Sequence, residues 1–285
     1  LQPWIPRLAT VGMDVLLVSI LVRFLSSRSR RMDIAWIYAL HPLGAVESAV
    51  HGNLDALMLG CAVGATLAWD AKKSGQGWAS LGSLVNALPL VILPTLWKRG
   101  RWILGLAAIF ALIIVWPISD AGIGIWTGIG RGITENALPG LLPMITSWMN
   151  PSVMYGVCGL MGVVSLGLVW RRWKDPIDVL HWSAASWIIL AATIHPAAIL
   201  WVWVPSLLCG VRSWSVLATL APLAYLCLDS VEFDVLGPSS KEWIPWLVFL
   251  PFLTSFVAEF LRHQIRPGPW QIGPAETTLP SPSPT

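Results

Sequence analysis

The sequence predicts an all-α, polytopic membrane helical bundle with broken and re-entrant helices, and three observations predict it. First, 55% of the residues are hydrophobic and 12% charged, at a mean hydropathy of +0.68. Soluble domains carry about 25% charged residues, so a water-soluble fold of this length needs more polar surface than the chain supplies. Second, apolar runs close to the length of a bilayer-crossing helix recur along the chain. Third, nineteen Trp suit a bilayer, because Trp concentrates at membrane–water interfaces.

In chain order the candidate segments are 8–25, 34–50, 53–70, 78–97, 101–118, 152–170, 178–194, 197–211, 214–230 and 244–262. Several are short or contain Pro, which points to helices broken where they pack against protein or line a cavity. Basic clusters set the sidedness: Arg28, Arg30, Arg31; Lys72, Lys73; Lys98, Arg99, Arg101; Arg171, Arg172, Lys174; Arg212; Arg262, Arg266, together fourteen of the eighteen Lys and Arg. If every segment crossed once, the clusters at 72–73 and 98–101 would face opposite sides. They agree if 78–97 enters and returns on one side, bent around Asn86-Ala87-Leu88-Pro89, where Pro removes a backbone hydrogen bond. About nine spans plus this hairpin, over 1–265, then place all fourteen on the cytoplasmic side. Asn53, the 119–151 connection and the acidic loop Asp229, Glu232, Asp234 lie outside.

Residues 266–285, rich in Pro and polar side chains, read as a disordered cytoplasmic tail. Cys61, Cys158, Cys209 and Cys227 lie in apolar runs with no paired spacing and read as small buried hydrophobes. The chain starts with Leu and no basic region precedes its first apolar run, so the expectation is a protein truncated at its N-terminus.

The stretch "HPLGAVESAVHGNLDAL", residues 41–57, concentrates ionisable groups in otherwise uncharged surroundings. Glu47, His51 and Asp55 are four residues apart, a drift of about 40° per step on a continuous helix, and Gly52-Asn53 breaks that helix at the outer turn. An ionised side chain at mid-membrane costs roughly 2.5–3.5 kcal/mol on insertion scales, so carboxylates kept here point to function. A polar substrate pocket, with the turn lining a cavity open to the outer face, is the reading taken. Two others stand beside it: Asp55 and His51 as helix caps at the water boundary, and a metal site, whose spacing matches no zinc pattern. Two more outer features are His195-Pro196, a His readily explained as a hydrogen-bonded turn residue, and "IGRGITENALPGLL". The latter holds Arg131, which can bind phosphate bidentately or pair with Glu135 or Asp120, together with Asn136.

These residues, in this order from about residue 8 to 228, resemble the GT-C superfamily of membrane glycosyltransferases, and within it glycosyltransferase family 87 and related polyprenyl-phosphate-mannose-dependent transferases. The family's Asn-Pro-Leu, Glu and Gly-His-x-Asp turn correspond to His41-Pro42-Leu43, Glu47 and Gly52-Asn53-Leu54-Asp55. A Lys before Pro in a broken helix corresponds to Asn86 and Pro89. An aromatic segment ending in Asn corresponds to Ile129, Ile133 and Asn136, and a His-Pro-Trp-Tyr turn to His195-Pro196-Ala197-Ala198. "WVWVPSLL" and a helix group ending in "LAYL" follow. The departures are His41 for Asn, Asn53 for His, Asn86 for Lys, and Ile or Ala for aromatic pairs. The acidic base of the family sits in a first outer loop that would precede residue 1.

The resemblance implies inverting transfer of a hexose, mannose favoured, from polyprenyl phosphate to a glycan or lipid-linked acceptor at the outer face of a bacterial cytoplasmic membrane. Asp55 and Glu47 are then the expected catalytic carboxylates. His41, His51, Asn53, Asn86, Arg131, Asn136 and His195 are expected to bind substrate. Neither a metal, a cofactor beyond the lipid-linked donor, nor nucleic acid is implied. Two other classes remain open: a catalytically degenerate homologue serving as a structural subunit of a membrane complex, and a transporter, which an inverted repeat would favour.

Overall fold

The computed structural model describes residues 4–86, 88–96, 138–146, 150–191, 193–225 and 240–265. Arg131, Asn136, the segment 101–118, the acidic loop and the tail lie outside them. The described chain is all-helical apart from one two-residue antiparallel pairing, Leu138 with Ile194 and Pro139 with Thr193. Its helices are α1 (Trp4–Ser27), α2 (Asp33–Ala39), α3 (Pro42–Ala45), α4 (Asp55–Asp70), α5 (Gln76–Ser83), α6 (Leu93–Leu96), α7 (Leu141–Ile145), α8 (Pro151–Arg172), α9 (Pro176–Leu190), α10 (Ile199–Cys209), α11 (Ser213–Leu220) and α12 (Ser240–Ile265).

Local chemistry explains where these helices start and stop. Asp175 accepts a hydrogen bond from the Ile177 N–H and Pro176 occupies the first turn of α9, the pairing that favours a helix start. Gly210, at φ 82°, ends α10 in the left-handed conformation, which costs glycine no Cβ clash. The N-terminus of α11 is capped from a distance: the Glu259 carboxylate on α12 accepts from Arg212 N (3.0 Å) and Ser213 N (2.9 Å).

Segment 34–50 is a broken helix. It stops at Leu40, restarts at His41-Pro42, and passes into a π-helical turn, Val46–His51. The cause is Pro42, which has no N–H to continue α2. Segment 78–97 is broken as well. Beyond α5 the chain turns at Asn86 and continues as a 3-10 helix, Leu88–Ile92, where Val91 O accepts the Trp170 indole N–H near the end of α8. Two described helices are long and apolar enough to cross a membrane by length and composition, Arg7–Ser27 and Trp243–Arg262. The breaks at His41-Pro42 and around Asn86 keep other apolar runs below that length.

The core lies where α1, α4, α9, α10, α11 and α12 meet, around Trp203, Trp214, Phe24, Phe249 and Phe252. Helices α4 and α5 approach so closely that a Cβ on Gly75 would lie 2.3 Å from the Ala65 carbonyl oxygen. Other faces remain apolar and uncovered: Trp36, Leu160 and Val163 are 65%, 67% and 73% exposed. The three described cysteines are free and buried, and Cys209 Sγ lies 3.2 Å from Asp178 Oδ1.

The described basic clusters gather at one end. Arg28 holds Asp70 through two nitrogens (2.7 and 2.8 Å) and Asp175 through a third (2.6 Å), tying together the ends of α1, α4 and α9. Burial works against the Arg28 charge, but the hydrogen bonds and charges of both aspartates outweigh it and raise its pKa. Lys72 and Lys73 follow Asp70, and Arg171, Arg172 and Lys174 precede Asp175. Arg31 and Arg212 line one cavity, and Arg212 meets α12 one turn before Arg262.

Candidate functional site

The π turn builds the opposite end. Its carbonyls are displaced from the ordinary helical ladder, and Thr10 on α1 donates its hydroxyl to Ser48 O (2.6 Å) to pin it. Single π turns inside helices occur frequently at functional sites. The turn closes on Gly52 at φ 69°, with the Gly52 and Asn53 N–H groups both directed to the Glu47 carbonyl. Only a residue without Cβ adopts that φ freely. Asn53 then accepts the Asp55 N–H on its Oδ1 (3.1 Å) and starts α4.

The fold brings five of the sequence-selected residues to this place. Glu47 is 2% exposed. Its Oε1 accepts a hydrogen bond from the Tyr225 hydroxyl, and the Asn53 side-chain amide lies 3.5 Å from Oε2. Asp55 is 6% exposed, and its carboxylate makes no helix cap; that task falls to Asn53. Trp201 lies near Asp55, and its indole nitrogen has no hydrogen-bond partner among the described residues. His51 is exposed, since the extra residue of the π turn rotates it away from Glu47. It stacks on Tyr225 at a ring separation of 4.6 Å, and His195 meets the same ring edge-on at 5.9 Å. Tyr225 is therefore the hub that joins Glu47, His51 and His195.

Three polar residues selected from the sequence have local structural tasks. His41 Nδ1 accepts from Leu43 N (3.2 Å), and its Nε2 lies 3.3 Å from Thr219 Oγ1. The His41 ring packs on Trp203 at 4.2 Å, a turn away from the Glu47 cluster. His195 repeats the device, its Nδ1 accepting from Ala197 N (3.3 Å) ahead of Pro196. Burial, followed by the charge of His51, pushes the His195 pKa below the usual histidine range. Asn86 accepts from Leu88 N (3.1 Å) and so forms the turn between α5 and the 3-10 helix.

A cavity of about 640 Å³ lies beside the cluster, walled by Asn86, Gly159, Gly162, Ser183, Trp187 and Trp201 among others. The sequence led us to expect the Glu47–Asp55 turn itself to line a cavity; neither residue is in the wall of this one. Trp201 lines the cavity and lies near Asp55.

Tyr225 and Trp201 were not selected from the sequence. A usable signal existed: the chain has three Tyr against nineteen Trp, and a buried Tyr hydroxyl needs a partner. Tyr38 obeys the same rule, donating to Asp14 Oδ1 at 2.5 Å. Among the described residues no group of three or more His, Cys, Asp or Glu is arranged to hold a metal ion. No family model, no curated protein and no solved structure matches the chain.

Proposed function

We propose that the chain is a polytopic membrane bundle of GT-C type whose Glu47–Asp55 end carries out hexosyl transfer from a polyprenyl-phosphate donor at the outer membrane face. The membrane setting is supported by the low charge content and by exposed apolar helix faces, since patches of this kind mark membrane or protein contact. The gathering of basic residues at the Arg28 end supports a cytoplasmic placement for that end, by the positive-inside rule, which turns the Glu47 end outward.

One observation carries the chemical reading: two buried carboxylates, Glu47 and Asp55, flank a Gly turn near an apolar cavity, and the described hydrogen-bond donors to Glu47, Tyr225 and Asn53, are neutral. In an inverting transfer the acceptor hydroxyl gives its proton to a carboxylate as its oxygen bonds to the anomeric carbon. The bond from that carbon to the phosphate oxygen breaks, and the phosphate leaves with the electron pair. Donors near the leaving oxygen stabilise its charge, a task open to His51 and His195.

A second reading, the degenerate structural subunit, is favoured by the capping tasks of His41, Asn53, Asn86 and His195, which fold the chain without any substrate. Transfer assays separate the two. In native membranes containing the whole protein and a radiolabelled polyprenyl-phosphate mannose, the transferase reading expects transfer that falls at least about a hundredfold in Asp55→Asn or Glu47→Gln, the range lost with general-base catalysis. No transfer from several donors, in a protein that co-purifies with fixed partners, would establish the scaffold reading instead.

A further inference from the structure

We infer that the cavity between α8, α9, α10 and the Asn86 turn binds the chain of a neutral lipid, one oxygen of which accepts a hydrogen bond from Ser183. The inference concerns binding alone and does not depend on glycosyl transfer.

Size, charge and one orphaned hydroxyl lead to it. The volume of about 640 Å³ falls within the roughly 300–1,000 Å³ typical of small-ligand sites. None of the described lining side chains is charged. An ionised phosphate without a cation beside it pays a prohibitive desolvation cost, so the occupant's polar group is neutral. Ser183 is 7% exposed, lines the cavity, and its Oγ has no hydrogen-bond partner among the described residues. A buried hydroxyl without a partner is expensive, and an ester carbonyl or alcohol oxygen in the cavity would relieve it.

The walls suit a hydrocarbon chain. Gly159 and Gly162 face open space where a Cβ would stand, so a chain can lie against the α8 backbone. Trp187, in the wall and 44% exposed, brings the cavity to the surface. It does so beside the uncovered apolar side of α8, where Leu160 and Val163 are exposed. An occupant arriving there comes from the hydrocarbon phase.

The test uses the purified whole protein in mixed micelles with a monoacylglycerol carrying a diazirine in its chain. Saturable labelling of α8–α10 peptides is expected. Ser183→Ala weakens the apparent affinity about fivefold, as loss of one neutral hydrogen bond does, and Gly162→Leu, which fills the cavity, abolishes labelling. An alkyl phosphate of equal chain length competes at least tenfold less well than unlabelled monoacylglycerol. Labelling that rises without saturation, persists in Gly162→Leu, or is displaced equally by the alkyl phosphate overturns the inference. Should Gly162→Leu fail to fold, Gly159→Leu and the Ser183→Ala affinity decide the matter. Because the readout is binding, its failure leaves the transferase reading untouched, and failure of transfer leaves this inference untouched.

Discussion

Tyr225→Phe isolates the hub of the site. The substitution removes one hydroxyl and keeps the ring, so the stacking on His51 and the edge contact with His195 survive. What is lost is the hydrogen bond to Glu47, a side chain 2% exposed whose remaining side-chain partner, Asn53, sits at the long distance of 3.5 Å. A hydrogen bond to a charged group contributes about 1.5–3 kcal/mol. At roughly 2–4 °C per kcal/mol for chains somewhat shorter than this one, thermal unfolding in detergent shifts down by several degrees. Glu47→Leu alone removes the carboxylate that accepts from the Tyr225 hydroxyl and is also destabilising. The double variant replaces both partners with apolar groups, which can be nearly neutral, so it is more stable than the sum of the singles by at least about 1 kcal/mol. Additivity within about 0.5 kcal/mol, the behaviour of independent sites, would falsify the coupling and with it the role of Tyr225 as organiser.

Two further outcomes follow from the geometry. Gly75→Ala drives a Cβ to 2.3 Å from Ala65 O and destabilises by about 1–3 kcal/mol, the usual cost of overpacking. Gly77→Ala, with nothing within 4 Å of its new Cβ, stabilises α5 by up to about 1 kcal/mol through helix propensity; thermal melts of the two variants should move in opposite directions, and a common direction refutes the close α4–α5 contact. For His195, whose pKa is lowered in the fold, the unfolded chain takes up the proton first on acidification. Its stabilising contribution is therefore present above about pH 6.5, the unfolded value, and is lost as pH falls through the lower folded value. Protonation also removes the Nδ1 acceptor of the Ala197 N–H, so exchange of that amide accelerates in acid. His195→Asn, able to cap the same N–H, abolishes that acceleration; an unchanged acid dependence in the variant sinks the assignment.

Short-range chemistry was legible in the sequence. Gly52-Asn53 marks a break because a left-handed turn selects glycine, and the structure has that turn at φ 69°. His195-Pro196 reads as a hydrogen-bonded turn because Pro fixes a helix start, and His195 does cap one. The π turn was not legible: a regular helix puts Glu47 and His51 on one face, whereas the inserted residue buries one and exposes the other. Tyr225 was hidden for another reason. It lies 178 residues from Glu47, and no local pattern reports which distant hydroxyl a buried carboxylate will find. The helix breaks were foreseen at Asn86-Pro89, where the motif is explicit, but not at His41-Pro42, which lies inside an apolar run long enough to suggest one span.

The two ends of the molecule hold their carboxylates in different ways: Asp70 and Asp175 reach solvent, whereas Glu47 and Asp55 are buried. At the basic end Asp70 and Asp175 share one guanidinium, which makes three short bonds to them. That arrangement is complete in itself and needs no ligand. At the other end no described Lys or Arg forms an ion pair with Glu47 or Asp55. Their neighbours are a phenol, an amide, an indole and, at the exposed rim, the imidazole of His51. Neutral donors orient a carboxylate without cancelling its charge, which leaves it able to take a proton. A fold that required only stability at this position would be served as well by apolar side chains of similar volume, since replacing buried charge in that way is often neutral or stabilising. Two buried carboxylates beside a glycine turn, with no described ion-pair partner, are the observation on which the proposed proton exchange with a substrate rests.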